Sequence, residues 1–201
     1  MVRSAAERNA GARGWRDLLG SAVLAVSLGT LAVAGVLSGC SRTKPGPEVP
    51  FGGATLRAPS GWTLGEQKRT DELERVQLAA PGGRVTCQLT RVRNGGTPEE
   101  LQRYLDQSRE YFTAKSARDV SLSGQEGRAL KGVLFENPKV YDDDGEANAS
   151  VQVMGAVVDG DLLSVIATTL DATPEAAAER SRCIGLVIDA LEAPKTAPAQ
   201  R

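Results

Sequence analysis

Histidine is absent from this chain, and the absence removes more chemistry than any residue present adds. Without imidazole there is no Ser-His-Asp or Cys-His machinery, no histidine metal ligand, and not the commonest general base at neutral pH. Aromatic residues make up only 4% of the chain, which leaves a sugar-stacking cleft poorly provisioned, so paired carboxylates working on glycosides are disfavoured although Asp and Glu abound. A basic excess is also missing. The 24 Lys and Arg face 25 Asp and Glu, and a surface that binds nucleic-acid phosphates needs the opposite balance. Nor is there a Gly-rich phosphate loop followed by Lys.

The charge that is present is unevenly spread. Residues 1 to 39 hold Arg3, Arg8, Arg13 and Arg16 against Glu7 and Asp17, and no charge then appears until Arg42. A basic stretch followed by an apolar one is the layout of a secretory signal. Leu18 to Leu37 is also about long enough to cross ~30 Å of hydrocarbon, so an uncleaved anchor helix is the competing reading. Gly20, Gly29 and Gly35 keep the run only moderately apolar, and it ends in Leu37-Ser38-Gly39-Cys40. That quartet resembles the lipobox of bacterial lipoproteins. The resemblance implies that Cys40 receives a diacylglycerol, that residues 1–39 are removed as a signal peptide, and that acyl chains hold the mature chain on a membrane. The arginines of the leader are never adjacent, which argues against the twin-arginine export route. The expected location is a cell membrane or outer membrane, with the domain on the extracytoplasmic side.

Export changes how the other cysteines read. With Cys40 acylated, Cys87 and Cys183 remain as a pair in a compartment where disulfides persist. In "RVTCQLTRV" the alternation puts Val85, Cys87 and Leu89 on one apolar strand face. In "AAAERSRCIGLVIDALE" helical spacing lines up Cys183, Val187 and Leu191, with Ile184 and Ile188 beside them. Both thiols point inward, as a disulfide or as two separate buried thiols.

Along the mature chain, residues 40–50 read as a Pro-punctuated flexible tether, 51–192 as one folded domain, and 193–201 as a disordered tail. Ala54, Leu56 and Ala58 alternate in a first strand that "APSGW" closes, and "ERVQLAAPGGRVTCQLTRVR" is two strands about Pro81-Gly82-Gly83. "TPEELQRYLDQSREYF" predicts an amphipathic helix with Thr97 as N-cap, Pro98 in its first turn, and an inward stripe of Leu101, Tyr104, Leu105, Ser108 and Phe112. "DVSLSGQEGRALKGVLFENP" returns to strand, and "ASVQVMGAVVDGDLLSVIATTLD" gives two strands about Asp159-Gly160. A last helix repeats the Thr-Pro-Glu start at Thr173, Pro174 and Glu175. The order β-β-β-α-β-β-β-α predicts an α+β fold, an antiparallel sheet covered by two main helices.

This order of elements, together with "APSGW" at 58 to 62, resembles the PsbP-like fold, which occurs in an extrinsic photosystem II subunit, in a Ran-binding nuclear protein and in envelope lipoproteins of the LpqN and DcrB kind. The resemblance covers residues 51 to 192 and rests on no catalytic signature. It implies a binding or assembly role without shared active-site residues and without a cofactor. The chain also lacks the histidines that metal-binding relatives use.

Two features remain as candidate sites. In "YDDDGEAN", Asp142, Asp144 and Glu146 alternate about Gly145, and such carboxylates can converge on Ca²⁺; a solvated acidic turn is the plainer reading, since no acidic ligand follows at the closing position of an EF-hand loop. Trp62, beside Gly61, either anchors a partner or caps the core. The expectation is a non-catalytic envelope lipoprotein that binds another envelope component or a small ligand through its domain. The alternatives are an immunity or assembly partner of a secreted protein, and a carboxylate-based hydrolase.

Overall fold

A computed structural model describes residues 45–112, 114–123, 129–138 and 149–192. Strands β1 (Glu48–Phe51) and β2 (Ala54–Arg57) form a hairpin of their own, with Phe51 opposite Ala54 and with Gly52 and Gly53 at positive φ in the connection. The reading of residues 40–50 as a tether is corrected here for its last residues. Val49 and Phe51 are fully buried, because alternation turns both to the core while Glu48 and Pro50 face out. Pro50 sits where its missing N–H costs nothing, on a two-stranded ribbon.

The main sheet has seven antiparallel strands in the order β3-β4-β5-β9-β8-β7-β6. β3 (Thr63–Arg69), β4 (Leu73–Ala79) and β5 (Val85–Val92) form one meander, in which a 3₁₀ turn at Pro81–Gly83 joins the last two. β6 (Ala114–Ser123), β7 (Ala129–Pro138), β8 (Ser150–Val158) and β9 (Asp161–Thr169) form another. Pairing of β5 with β9, from Val85 opposite Thr169 to Val92 opposite Leu162, joins the two into one surface. The β8–β9 turn places Asp159 at φ 50° and Gly160 at φ 81°, the left-handed pair that a two-residue hairpin of matching twist requires.

Helix α1 (Pro98–Tyr111) carries the chain from β5, in the middle of the sheet, to β6 at its far edge. Thr97 caps it by accepting a hydrogen bond from the Glu100 N–H at 3.1 Å, and the buried stripe is Leu101, Tyr104, Leu105 and Ser108, with Phe112 just beyond the end. Helix α2 (Pro174–Glu192) is capped in the same way by Thr173, whose hydroxyl accepts from the Ala176 N–H at 3.2 Å. The two helices cover opposite faces. Cys87 and its neighbours in the ladder, Leu78 and Ala167, face α2. Residues of the other parity face α1: a Cβ on Gly155 would stand 2.8 Å from Leu101 Cδ1, and the rings of Phe112 and Phe135 are 5.2 Å apart. The result is an α+β sandwich of helix, sheet and helix.

The described residues form nine strands where the periodicity predicts six: the additions are β1, described above, and two more. β3 keeps only Leu64 half-buried and exposes the rest, as an edge strand does, so no alternation marks it. The stretch from 119 to 138 is two strands, β6 and β7, paired from Ala114 with Pro138 to Ser123 with Ala129.

Candidate functional site

The described residues include two of the candidate cysteines. Cys87 on β5 and Cys183 on α2 are joined by a disulfide, with Cα atoms 5.7 Å apart and 96 residues between them in sequence. Both are essentially inaccessible to solvent. The bridge clamps the helix onto the centre of the sheet, a structural position without the access that an exchanging disulfide needs. Cys40 and the acidic trio Asp142, Asp144 and Glu146 lie outside the described residues. Trp62 is 3% exposed and belongs to the core on the α2 side. Its indole Nε1–H donates to Glu179 Oε2 of α2 at 2.7 Å, so it caps the core rather than presenting a ring to a partner.

A cleft opens where the first turns of α2 lie beside the β6-β7-β8 half of the sheet. Its space amounts to about 270 Å³. The floor is a row of side chains on the α2 face: Arg118 of β6, Leu134 and Glu136 of β7, Ser150 of β8 and Thr169 of β9. Arg180 of α2 forms the wall, and Asp171 and Thr173 the rim at the start of the helix.

Hydrogen bonds order this floor. The guanidinium of Arg180 donates through Nη1 to Ser150 Oγ, which is in turn 2.5 Å from Thr169 Oγ1. Thr169 is 1% exposed, so this hydroxyl pair is fixed at the bottom of the cleft. Burial, and then the positive charge of Arg118, push the Arg180 pKa down; Glu136 acts in the opposite direction. Glu136 accepts from Ser116 Oγ at 3.2 Å and lies 3.9 Å from Arg118 Nε. Asp171 faces away from the middle of the cleft: it accepts from the Thr173 hydroxyl at 2.9 Å and stands 3.6 Å from Arg84 Nε. Among the described residues Arg180 therefore has a hydroxyl partner and no carboxylate within ion-pair distance. Two guanidinium groups, two carboxylates, a pair of aligned hydroxyls and small apolar side chains surround the space among the described residues.

The sequence reading did not single out these residues, because they come from five elements. One signal was present. Arg118 shares its strand face with Val120 and Leu122, and Arg180 falls on the stripe of Ala176, Cys183 and Val187, so each puts a charge on an otherwise apolar face.

A polar cluster is also enclosed under α1. Tyr104 is buried against Ser164 of β9 and near Arg75 of β4; burial raises its hydroxyl pKa to about 12, and the Ser164 hydrogen bond and Arg75 charge offset only part of that. This cluster is covered by the helix and is inaccessible to a ligand.

No family profile matches the chain, and no curated protein matches it. Solved structures similar to it include the following two. The Ran-binding protein Mog1p of Saccharomyces cerevisiae shares 14% identity over 73% of this chain and 90% of its own, with a TM-score of 0.44. The PsbP protein of a cyanobacterium, CyanoP from Synechocystis sp. PCC 6803, shares 12% identity over 80% of this chain and 95% of its own, with a TM-score of 0.47.

Proposed function

We propose that the chain is a lipid-anchored binding protein of the extracytoplasmic envelope, held by acyl chains on Cys40 and working without catalysis. The observation that carries this reading is the buried Cys87–Cys183 bridge. A disulfide linking a sheet to a helix across 96 residues suits an oxidising compartment and not a reducing cytoplasm. An apolar run that ends in Leu37-Ser38-Gly39-Cys40 supplies both the export signal and the anchoring thiol. Two acyl chains, at roughly 0.8 kcal/mol per buried methylene, hold a protein on a bilayer without a spanning helix. The cleft beside α2 then faces the space outside the cytoplasmic membrane, and it is the part of the domain equipped to hold a ligand.

Cell fractionation tests the reading. The full chain should pellet with membranes, resist extraction by high salt, dissolve in detergent, and be degraded by protease added to cells stripped of their outer barriers. Recovery from the soluble cytoplasmic fraction, with both core thiols reduced, would end it.

A further inference from the structure

We infer that the cleft between α2 and the β6-β7-β8 half of the sheet binds a carboxylate group, with Arg180 as its principal partner. The inference rests on the binding role proposed above and gives it a ligand class. Its first support is the charge arrangement. Among the described residues two guanidinium and two carboxylate groups line the space, but they are not equally matched. Asp171 is turned toward Arg84 and Thr173, and Glu136 stands near Arg118 and accepts from Ser116. That leaves Arg180, half-buried, with Ser150 Oγ as its hydrogen-bond partner among the described residues. Guanidinium carries five N–H donors, and hydroxyls do not neutralise it.

The second support is what the cleft would reject. A phosphate brings nearly two negative charges beside Glu136 where a carboxylate brings one, and like charges in a partly desolvated site repel in proportion. One carboxylate matches the guanidinium of Arg180, which among the described residues has no carboxylate within ion-pair distance, and its two oxygens fit the planar fork of arginine. An amine would meet Arg180 and Arg118 together. The third support is size. About 270 Å³ lies just below the ~300 Å³ at which drug-sized pockets begin, and Leu134, Ala149 and Ala177 offer a short apolar side chain somewhere to rest. These dimensions fit a small organic acid or the C-terminal residue of a peptide, which present the same group.

The test is a ligand-detected NMR titration of the full-length protein in detergent, using N-acetyl-alanine, its C-terminal amide, trialanine and inorganic phosphate as probes. N-acetyl-alanine should bind saturably at millimolar concentration, and the amide ~10-fold or more weaker, since a hydrogen-bonded charge is what distinguishes them. Arg180→Met keeps the length of the side chain and should lose binding by a similar factor, and Arg180→Lys should recover part of it. Arg118→Gln removes a largely exposed charge and serves as the variant least at risk of misfolding; it should weaken binding by a smaller factor. Tighter binding of trialanine than of N-acetyl-alanine assigns the site to peptide ends, and equal binding assigns it to small acids. Absence of saturable binding, equal binding of acid and amide, tighter binding of phosphate, or unchanged affinity in a folded Arg180→Met protein would each overturn the inference. Acylation of Cys40 is measured separately, so a failure of the cleft leaves the anchor standing and the reverse also holds.

Discussion

Reducing the Cys87–Cys183 bridge should remove a large part of the stability of the domain, and the structure gives the size of the effect. The bridge closes a loop of 96 residues, for which the chain-entropy treatment gives about 4.7 kcal/mol at 25 °C, close to its value for a loop of 100. Both sulfurs are buried among apolar neighbours, so reduced thiols stay packed as small apolar side chains and the effect falls on the unfolded state. Domains of this size are stable by about 5–15 kcal/mol, so the reduced form is left marginal. In thermal terms each kcal/mol is worth ~2–4 °C, which puts the loss at roughly 10–20 °C. Urea unfolding followed by circular dichroism, with and without a phosphine reductant, measures it, and the Cys87→Ala/Cys183→Ala double variant should no longer respond to reductant. Thiol titration in denaturant without reductant should find neither core cysteine. If the oxidised and reduced curves superpose within about 1 kcal/mol, or if both thiols react before reduction, the clamp between helix and sheet is not what holds this domain.

Three further outcomes follow from particular contacts. Tyr104, raised to about 12, should stay protonated in an ultraviolet titration while the unfolded chain ionises near 10. Its folded pKa lies above its unfolded one, so the stability it contributes is complete below pH 10 and is lost as pH rises to 12, by roughly 3 kcal/mol at 1.36 kcal/mol per unit; equal titration of all tyrosines in the native protein would contradict the enclosed cluster. Gly132→Ala should destabilise strongly, by ~3 kcal/mol or more, since its Cβ would stand 2.1 Å from the Val153 carbonyl oxygen inside the sheet; a change under ~1 kcal/mol in urea would show that β7 and β8 are not in this register. Thr97→Ala should cost ~1 kcal/mol by removing the hydroxyl that accepts from the Glu100 N–H, and Thr97→Ser should restore most of it.

How much of this was legible in the sequence depended on whether the cause was local. Thr97 and Thr173 mark their helices because a cap acts within three residues, and the stripe from Leu101 to Ser108 shows because helical spacing repeats. The Asp159-Gly160 hairpin was readable because only special residues accept positive φ at both turn positions. β1 was missed because Pro47 and Pro50 look like linker punctuation, while burial of Val49 and Phe51 depends on β4 and on the hairpin partner β2. β3 was missed because an exposed edge strand needs no apolar alternation. Each inward cysteine could be placed on its face, but whether the two meet is set by how α2 crosses β5, which is tertiary. The cleft was the least legible feature. Arg118 and Arg180 are 62 positions apart and meet only because β6 lies at the sheet edge next to β7 while α2 returns over β9.

The central claim is that Cys40 fastens this domain to a membrane, and metabolic labelling with an alkyne fatty acid tests it most directly. The wild-type chain should carry the label and run as a form shortened by its first 39 residues, and Cys40→Ala should lose both the label and membrane retention. An unlabelled wild-type chain, or a Cys40→Ala chain labelled as strongly as wild type, would contradict it.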